Sequence, residues 1–218
     1  MPRYSSKQRQ KDEAFRHRQE ILETALKVFA EKGFSAATMQ DVARAARFSV
    51  GKLYLHFPSK DALYRELLKM YVDELLGRVE KALAVQGSAP VRIAAAVHEE
   101  LQYFEEHPML LRLFVSETLG FELRLHAQFG QNIVAKYQRF QKGLTEVFAE
   151  GIAAGEFQGF SDTELTLKLS GILNAVITAE IHQPSGRNVG EMTSLVLRLF
   201  GESPLAEVAK SRPLKKRK

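Results

Sequence analysis

Apolar and polar positions repeat with the period of an α-helix along most of the chain. Between residues 16 and 32 the apolar stripe consists of Ile21, Ala25, Val28 and Phe29. Stripes of the same spacing predict helices at 60–84, 91–105, 109–119, about 123–153, 162–182 and 189–200. No segment alternates with the period of a β-strand. The pattern therefore predicts an all-α fold of about nine or ten helices.

Residues 38–57, TMQDVARAARFSVGKLYLHF, predict two short helices joined by a tight turn. Thr38 and Ser49 can each cap a helix, and Val42, Ala45 and Ala46 are expected to form the buried face of the first one. Gly51, inside the second helix, costs about 1 kcal/mol of helix stability relative to alanine. This cost indicates close approach by another surface. The spacing leaves two surfaces open, a DNA groove or the neighbouring helix of a packed αα-corner.

The run from Arg18 to Leu76 resembles the N-terminal DNA-binding domain of the TetR family of bacterial transcriptional regulators. The matching residues lie in one register and are Phe29, Gly33, Phe34, Thr38, Val42, Ala43, Ala46, Ser49, Gly51, Leu53, Tyr54, Phe57, Ser59, Lys60 and Leu63. The resemblance implies a helix-turn-helix at 38–57 whose second helix enters the major groove. The chain departs from the family at Arg47, where a glycine is usual. If the backbone is left-handed there, a residue other than glycine costs about 1–2 kcal/mol.

The same resemblance divides the DNA-binding candidates into two sets. The residues expected at phosphates are Thr38, Tyr54, His56 and Lys60. The residues expected near base edges are Gln40, Val50, Gly51, Lys52 and Tyr54, with Ser49 at the start of their helix. Arg44 lies off the buried stripe of the first helix and is a further candidate for phosphate. Lys52 is the first choice for a base contact because lysine can donate to guanine O6 and N7, although a phosphate contact is equally compatible with its position.

The charge is unevenly distributed along the chain. Residues 1–60 contain 12 Lys or Arg against 6 Asp or Glu, residues 61–207 contain 13 against 20, and residues 208–218 contain 6 against none. This distribution suits a polyanion bound by the N-terminal region. We expect residues 1–15 to form a flexible basic arm and 203–218 a basic tail, either merely solvated or reaching phosphates.

The remainder of the chain is expected to bind an effector and to dimerise. The predicted boundaries give a DNA-binding domain at 16–76 and a helical effector-binding and dimerisation domain at 77–202. The resemblance implies a homodimer through the helices at about 124–154 and 162–182, and a ligand cavity in this region. Candidate cavity residues are aromatic or polar positions on apolar segments, namely Tyr103, Phe104, Phe114, Phe121, His126, Tyr137, Phe140, Asn174 and Thr178. Such a lining would suit a small hydrophobic or amphipathic molecule.

Several protein classes are disfavoured by what the sequence lacks. There is no cysteine, so disulfides, thiolate nucleophiles and cysteine-ligated metals are excluded. The six histidines form no metal-binding pair, and no nucleophile elbow or phosphate-binding glycine loop occurs, so we predict neither an enzyme nor a metal or cofactor site. No apolar run is long enough to span a membrane or to serve as a signal peptide, which predicts a soluble cytoplasmic protein.

Together these features predict a ligand-responsive repressor that binds a palindromic operator as a homodimer. The alternative is an architectural protein that uses the basic arm and the C-terminal KKRK for non-specific DNA contact and has no effector.

Overall fold

The computed structural model describes residues 6–118 and 130–201 of the chain, with side chains described at 8–113 and 135–201. Within these ranges the regular structure is entirely helical, which confirms the all-α prediction. The described helices are α1 (Ser6–Ala36), α2 (Met39–Ala45), α3 (Val50–His56), α4 (Lys60–Leu83), α5 (Ala89–Glu106), α6 (Pro108–Thr118), α7 (Gly130–Ala153), α8 (Asp162–His182) and α9 (Val189–Phe200).

Helix α1 is longer than the sequence indicates. It begins at Ser6 and not near Arg16, so residues 6–15 of the predicted flexible arm are helical. Residues 8–15 are exposed, and an exposed helical extension has no periodic apolar pattern to reveal it. Further along, Ile21, Ala25, Val28 and Phe29 are buried as predicted. Gly33, with φ 75° and ψ 156°, interrupts the helix before its last turn.

Helices α2 and α3 begin at the two predicted caps. The Thr38 hydroxyl oxygen accepts a hydrogen bond from the Asp41 amide at 3.1 Å, and the Thr38 amide donates to the Asp41 carboxylate, forming a capping box. Ser49 accepts from the Lys52 amide at 3.2 Å. Hydrogen bonds from Lys32 and Thr38 lower the pKa of Asp41 to about 2. The carboxylate that completes the capping box is therefore ionised over the whole physiological pH range.

The buried face of α2 differs from the predicted one. Met39, Val42, Ala43 and Ala46 are buried, whereas Ala45 is exposed. Both sets have helical spacing, and alanine at 43, 45 and 46 gives the sequence no means of choosing between them.

The turn between α2 and α3 has a left-handed residue at Arg47, with φ 58°. It is the one non-glycine residue with positive φ in the described part of the chain. The Arg47 side chain is exposed, and its amide donates to the Arg44 carbonyl at 3.2 Å. The backbone at Arg47 therefore has a conformation that glycine adopts freely, and the Arg47 side chain makes that conformation strained.

In the C-terminal part of the chain, α9 packs against α5 and α8. Phe148 of α7 stacks on Phe200 of α9 with centroids 5.8 Å apart and meets the Phe157 ring edge-on at 5.3 Å. Gly151 makes this packing possible, because a Cβ there would lie 2.6 Å from the Phe157 ring and 2.8 Å from the Ala89 Cβ. Capping boxes at Ser161 and Asn188 begin α8 and α9.

The chain folds into two compact units. One includes residues 6–71 and 112–118, and the other includes residues 72–111 and 131–201. Helix α4 contributes to both, and the division falls between Tyr71 and Val72, a few residues before the predicted boundary at 76/77. The helix predicted from Leu123 is described from Gly130 onwards, and its first residues lie outside the described ranges. In the described part, no helix has the length and apolar character needed to cross a membrane.

We expect Arg47→Gly to raise the free energy of unfolding by about 1 kcal/mol, because glycine adopts positive φ without steric cost. Chemical denaturation of the full chain measures this change. Arg44→Gly is the matched control. Arg44 lies within α2, where glycine should lower the unfolding free energy by about the same amount. Equal losses from both substitutions would contradict the strain at Arg47.

Candidate functional site

Helix α3 presents one face to the core and the other to solvent. Leu53 is fully buried, and Phe57, the residue that follows the helix, is 1% exposed. Gly51, Tyr54 and Leu55 lie on the exposed side. On a helix of 100° per residue, Gly51 and Leu55 lie one turn apart, nearly opposite Leu53. They form the outermost line of the molecule at this helix.

Gly51 is not required by the packing of its own chain. Its φ is not positive, and a Cβ built on it would meet no atom within 4 Å. The αα-corner explanation for this glycine is therefore wrong, since the neighbouring helix leaves the position open. At Gly151, in contrast, Phe157 and Ala89 occupy the space that a Cβ would need. A glycine that weakens α3 without serving the fold points to a surface outside the chain.

Most of the predicted base-contacting and phosphate-contacting residues of α2 and α3 are exposed to solvent. Thr38, Gln40, Arg44, Ser49 and Tyr54 are exposed, and Val50 is partly exposed. The Lys52 ammonium lies 4.5 Å from the centroid of the Phe48 ring, within the range of a cation–π contact. The structure thus brings together the candidates from both helices within one compact unit.

His56, at the C-terminal end of α3, belongs to a small aromatic and basic group. The His17 ring lies 6.2 Å from the His56 ring and 5.2 Å from the Phe48 ring. Partial burial lowers the pKa of His56, and His17, Arg18 and Lys52 lower it further by charge repulsion. His56 is therefore mostly neutral at pH 7, and its ring can donate one hydrogen bond to a phosphate without carrying charge.

Lys60, which the resemblance places at a phosphate, binds backbone carbonyls in this structure. Its ammonium donates to the carbonyl oxygens of Phe34, Ser35 and Ala37 at 2.7, 3.2 and 2.9 Å, and it lies 4.5 Å from the Phe34 ring centroid. An ammonium has three N–H donors, and these three carbonyls use all of them. Lys60 therefore binds carbonyls at the end of α1 and just after it, and links the start of α4 to them. A hydrogen bond from Lys60 to phosphate would require one of these bonds to break.

Arg18 is a residue of the site that the sequence does not reveal. Its Nη1 donates to the His56 carbonyl oxygen at 2.7 Å, its Nε donates to Glu66 Oε1 at 2.5 Å, and its Nη2 pairs with Glu66 Oε2. The guanidinium also lies 4.4 Å from the centroid of the Phe57 ring. One side chain of α1 thus joins the C-terminal end of α3 to α4. No sequence pattern pairs positions 18, 56 and 66, because the contact depends on the tertiary arrangement alone.

Comparison with known proteins identifies the family of the chain. The family model described as "Bacterial regulatory proteins, tetR family" matches residues 21–67. The uncharacterized HTH-type transcriptional regulator YfiR of Bacillus subtilis is 32% identical over 146 residues, which are 64% of this chain and 67% of YfiR. The chain belongs to the TetR family of bacterial transcriptional regulators.

Two further similarities extend over more of the chain. The HTH-type transcriptional repressor KstR2 of Rhodococcus jostii is 25% identical over 151 residues, 69% of this TetR-family protein and 72% of KstR2. The crystal structure of the transcriptional regulator FadR from Bacillus subtilis in complex with stearoyl-CoA matches with a TM-score of 0.72 and 20% identity, covering 85% of this chain and 98% of that one. At this identity the FadR match supports the fold.

The candidate effector residues of this TetR-family protein separate into three groups. Tyr103 and Phe104 are buried in α5, and Tyr137 and Phe140 of α7 are partly exposed. Asn174 and Thr178 lie on the exposed side of α8 and do not face the interior of the chain. The side chains of Phe114, Phe121 and His126 lie outside the described residues. The Tyr103 ring is 5.0 Å from the Arg78 guanidinium, and its hydroxyl donates to Glu74 at 3.4 Å, so Tyr103 already has a structural role.

Glu100 is a polar group of α5 that lies one turn before Phe104, between Val97 and Leu101, and its side chain is partly exposed. Burial raises the pKa of Glu100 to about 7. Part of its carboxyl population is therefore protonated at neutral pH and can donate a hydrogen bond.

Among the described residues, no group of three or more His, Asp or Glu side chains could hold a metal ion.

We expect Gly51→Ala to raise the free energy of unfolding by roughly 1 kcal/mol, because alanine favours the helix and its Cβ meets no atom. Gly151→Ala should lower the same quantity, since its Cβ would collide with Phe157 and Ala89. Thermal and chemical denaturation of both variants give the comparison. A loss of stability in Gly51→Ala would show that α3 uses this glycine within the fold.

Proposed function

We propose that this protein is a ligand-responsive repressor that binds a palindromic operator as a homodimer. The observation that carries the proposal is the exposed, unfilled face of α3 at Gly51, on a helix held to the core by Leu53 and Phe57. In helix-turn-helix proteins the second helix lies in the major groove with its N-terminal residues at base edges. Gly51 would let the backbone of α3 approach those edges closely.

The proposed contacts follow from the exposure of α2 and α3. Lys52 and Tyr54, with Val50 and Gly51, would face base edges, and Lys52 would donate to guanine O6 or N7. Gln40 would reach an adjacent base edge. Thr38, Arg44, Ser49 and His56 would position the helix on phosphates, which orient the protein without specifying sequence. Lys60 would add positive potential, because its donors are engaged by the carbonyls of the α1–α2 connection.

The proposed dimer interface centres on the exposed side of α8. From Leu165 to Ala179 every exposed residue of α8 is uncharged: Leu167, Gly171, Asn174, Ala175, Thr178 and Ala179. Leu167 is 73% exposed, and a Cβ on Gly171 would meet no atom within 4 Å. Small residues at 171, 175 and 179 would allow a second helix to approach closely. A solvated helix face normally carries charge, so this stripe supports a symmetric contact with the partner's α7 and α8.

The proposed effector is a small hydrophobic or amphipathic molecule. Support comes from the aromatic residues Phe104, Tyr137 and Phe140 and from the similarity to FadR, whose crystal structure contains stearoyl-CoA. Glu100 would supply a polar contact beside apolar surface. An effector that binds more tightly to the form with low operator affinity would shift the population towards that form and release DNA.

The test of DNA recognition is selection of bound fragments from genomic DNA, followed by competition between the selected operator and random duplex at physiological salt. We expect Lys52→Ala combined with Tyr54→Ala to weaken operator binding about a hundredfold or more, because each base contact contributes roughly 1–3 kcal/mol. Lys81→Ala, an exposed lysine of α4, is the control. Equal affinity of the wild-type protein for operator and random duplex would refute the repressor and favour the architectural alternative.

The dimer proposal predicts that Gly171→Leu yields a folded monomer, because leucine favours the helix but blocks close approach of a second α8. Sedimentation at micromolar concentration and helical circular dichroism would report assembly and folding separately. Gly77→Leu is the matched control, since Gly77 of α4 is likewise a helical glycine with no atom near its Cβ position. A dimeric Gly171→Leu variant would place the interface elsewhere.

A further inference from the structure

Leu55 is the most exposed large hydrophobic side chain in the described part of the chain. It is 86% exposed, compared with 73% for Leu167 and 63% for Phe15. An isolated exposed leucine is common on protein surfaces. Leu55, however, lies at the centre of the outer face of α3, on a helix of only seven residues that has one fully buried side chain.

The fold does not require an apolar residue at position 55. Leu53 and Phe57 attach the helix to the core, and Arg18 holds its last carbonyl. Leu55 follows Leu53 by two residues, or about 200° around the helix, so its side chain points away from the core. At this position leucine buries little surface within the chain, so an extensive apolar contact of its side chain must be intermolecular.

The position of Leu55 relative to Gly51 determines which surface the Leu55 side chain would contact. Gly51 lies one helical turn before Leu55 on the same line, and its missing side chain opens that line to a close neighbour. Tyr54, 46% exposed, adjoins Leu55 on one side, and Lys52, over the Phe48 ring, lies on the other. An apolar side chain is therefore flanked by groups capable of hydrogen bonding on the face proposed to enter the major groove.

The chemistry of the groove leaves one partner for leucine. A leucine side chain has no donor or acceptor, so it can bind neither phosphate nor the polar atoms of a base edge. The apolar group that unmodified DNA displays in the major groove is the 5-methyl group of thymine. Resting on the proposed function, we propose that Leu55 packs against a thymine methyl in each half-site and makes thymine the preferred base there. Gly51 sets the depth of insertion at which this contact forms.

The experiment measures the affinity of the full-length protein for its selected operator with each thymine replaced in turn by deoxyuridine, which removes only the methyl group. At one thymine position per half-site we expect the affinity to fall about fourfold, the equivalent of roughly 0.8 kcal/mol for one buried methyl. Leu55→Ala should bind the thymine and uracil operators equally. Leu55→Met, which keeps an apolar side chain of similar reach, should retain part of the discrimination.

Leu199→Ala provides the matched control, because Leu199 is an exposed leucine of α9, 56% exposed and outside the proposed contacts. This variant should keep the wild-type discrimination. Chemical denaturation should show that Leu55→Ala is as stable as the wild-type protein, so that any change in affinity reflects the contact.

The outcomes separate the inference from the proposed function. If the wild-type protein prefers its operator but no thymine replacement lowers the affinity, or if Leu55→Ala retains the discrimination, the thymine contact is overturned and the repressor proposal stands. If the wild-type protein selects no sequence, the repressor proposal fails and the thymine contact fails with it.

Discussion

The Arg18 guanidinium joins α3 to two other helices of the DNA-binding region. A helix of seven residues cannot hold its own conformation or orientation, because nucleation of so short a segment is unfavourable in water. Leu53 and Phe57 supply apolar attachment on one side of the helix, and α3 also contacts α2. Arg18 adds a directional attachment by donating to the carbonyl of His56, the last residue of α3, and to the carboxylate of Glu66 in α4. The planar fork of arginine is suited to such a contact with two partners, and lysine could not replace it.

The helices themselves can be predicted from sequence because their stripes and caps are local. Thr38, Ser49 and Ser161 begin helices where their residue types indicate, and the bounds of α4, α8 and α9 agree within a residue or two. The extension of α1 to Ser6 cannot be predicted in this way, because an exposed helix buries no stripe. The sequence also does not show which of Ala43 and Ala45 lies on the buried face of α2, because the two residues have the same size and polarity.

The site is harder to predict than the fold, for physical reasons that differ between residues. Which positions of α3 are exposed follows from helical periodicity. What a side chain donates to is set by partners distant in sequence. Lys60 and the carbonyls of Phe34 and Ala37 are an example, as are Arg18 and Glu66. Polar residues on an apolar helix are uncommon and therefore suggest a cavity, but Asn174 and Thr178 lie on the exposed side of theirs. The raised pKa of Glu100 likewise depends on burial, which the acidic residues next to Glu100 in the sequence do not indicate.

Gly51 and Gly171 also bear on how this protein can evolve. Each lies within a helix, each leaves an open position at its Cβ, and each weakens its helix for no benefit inside the chain. Selection for thermal stability alone would replace both with alanine, whereas the proposed DNA and dimer contacts would favour glycine at both positions. In a library of variants screened only for folding, positions 51 and 171 would therefore change to residues that impair the proposed recognition. Position 151, in the core, would remain glycine. Disagreement between the two screens, position by position, would map the intermolecular surfaces of this regulator without a bound partner.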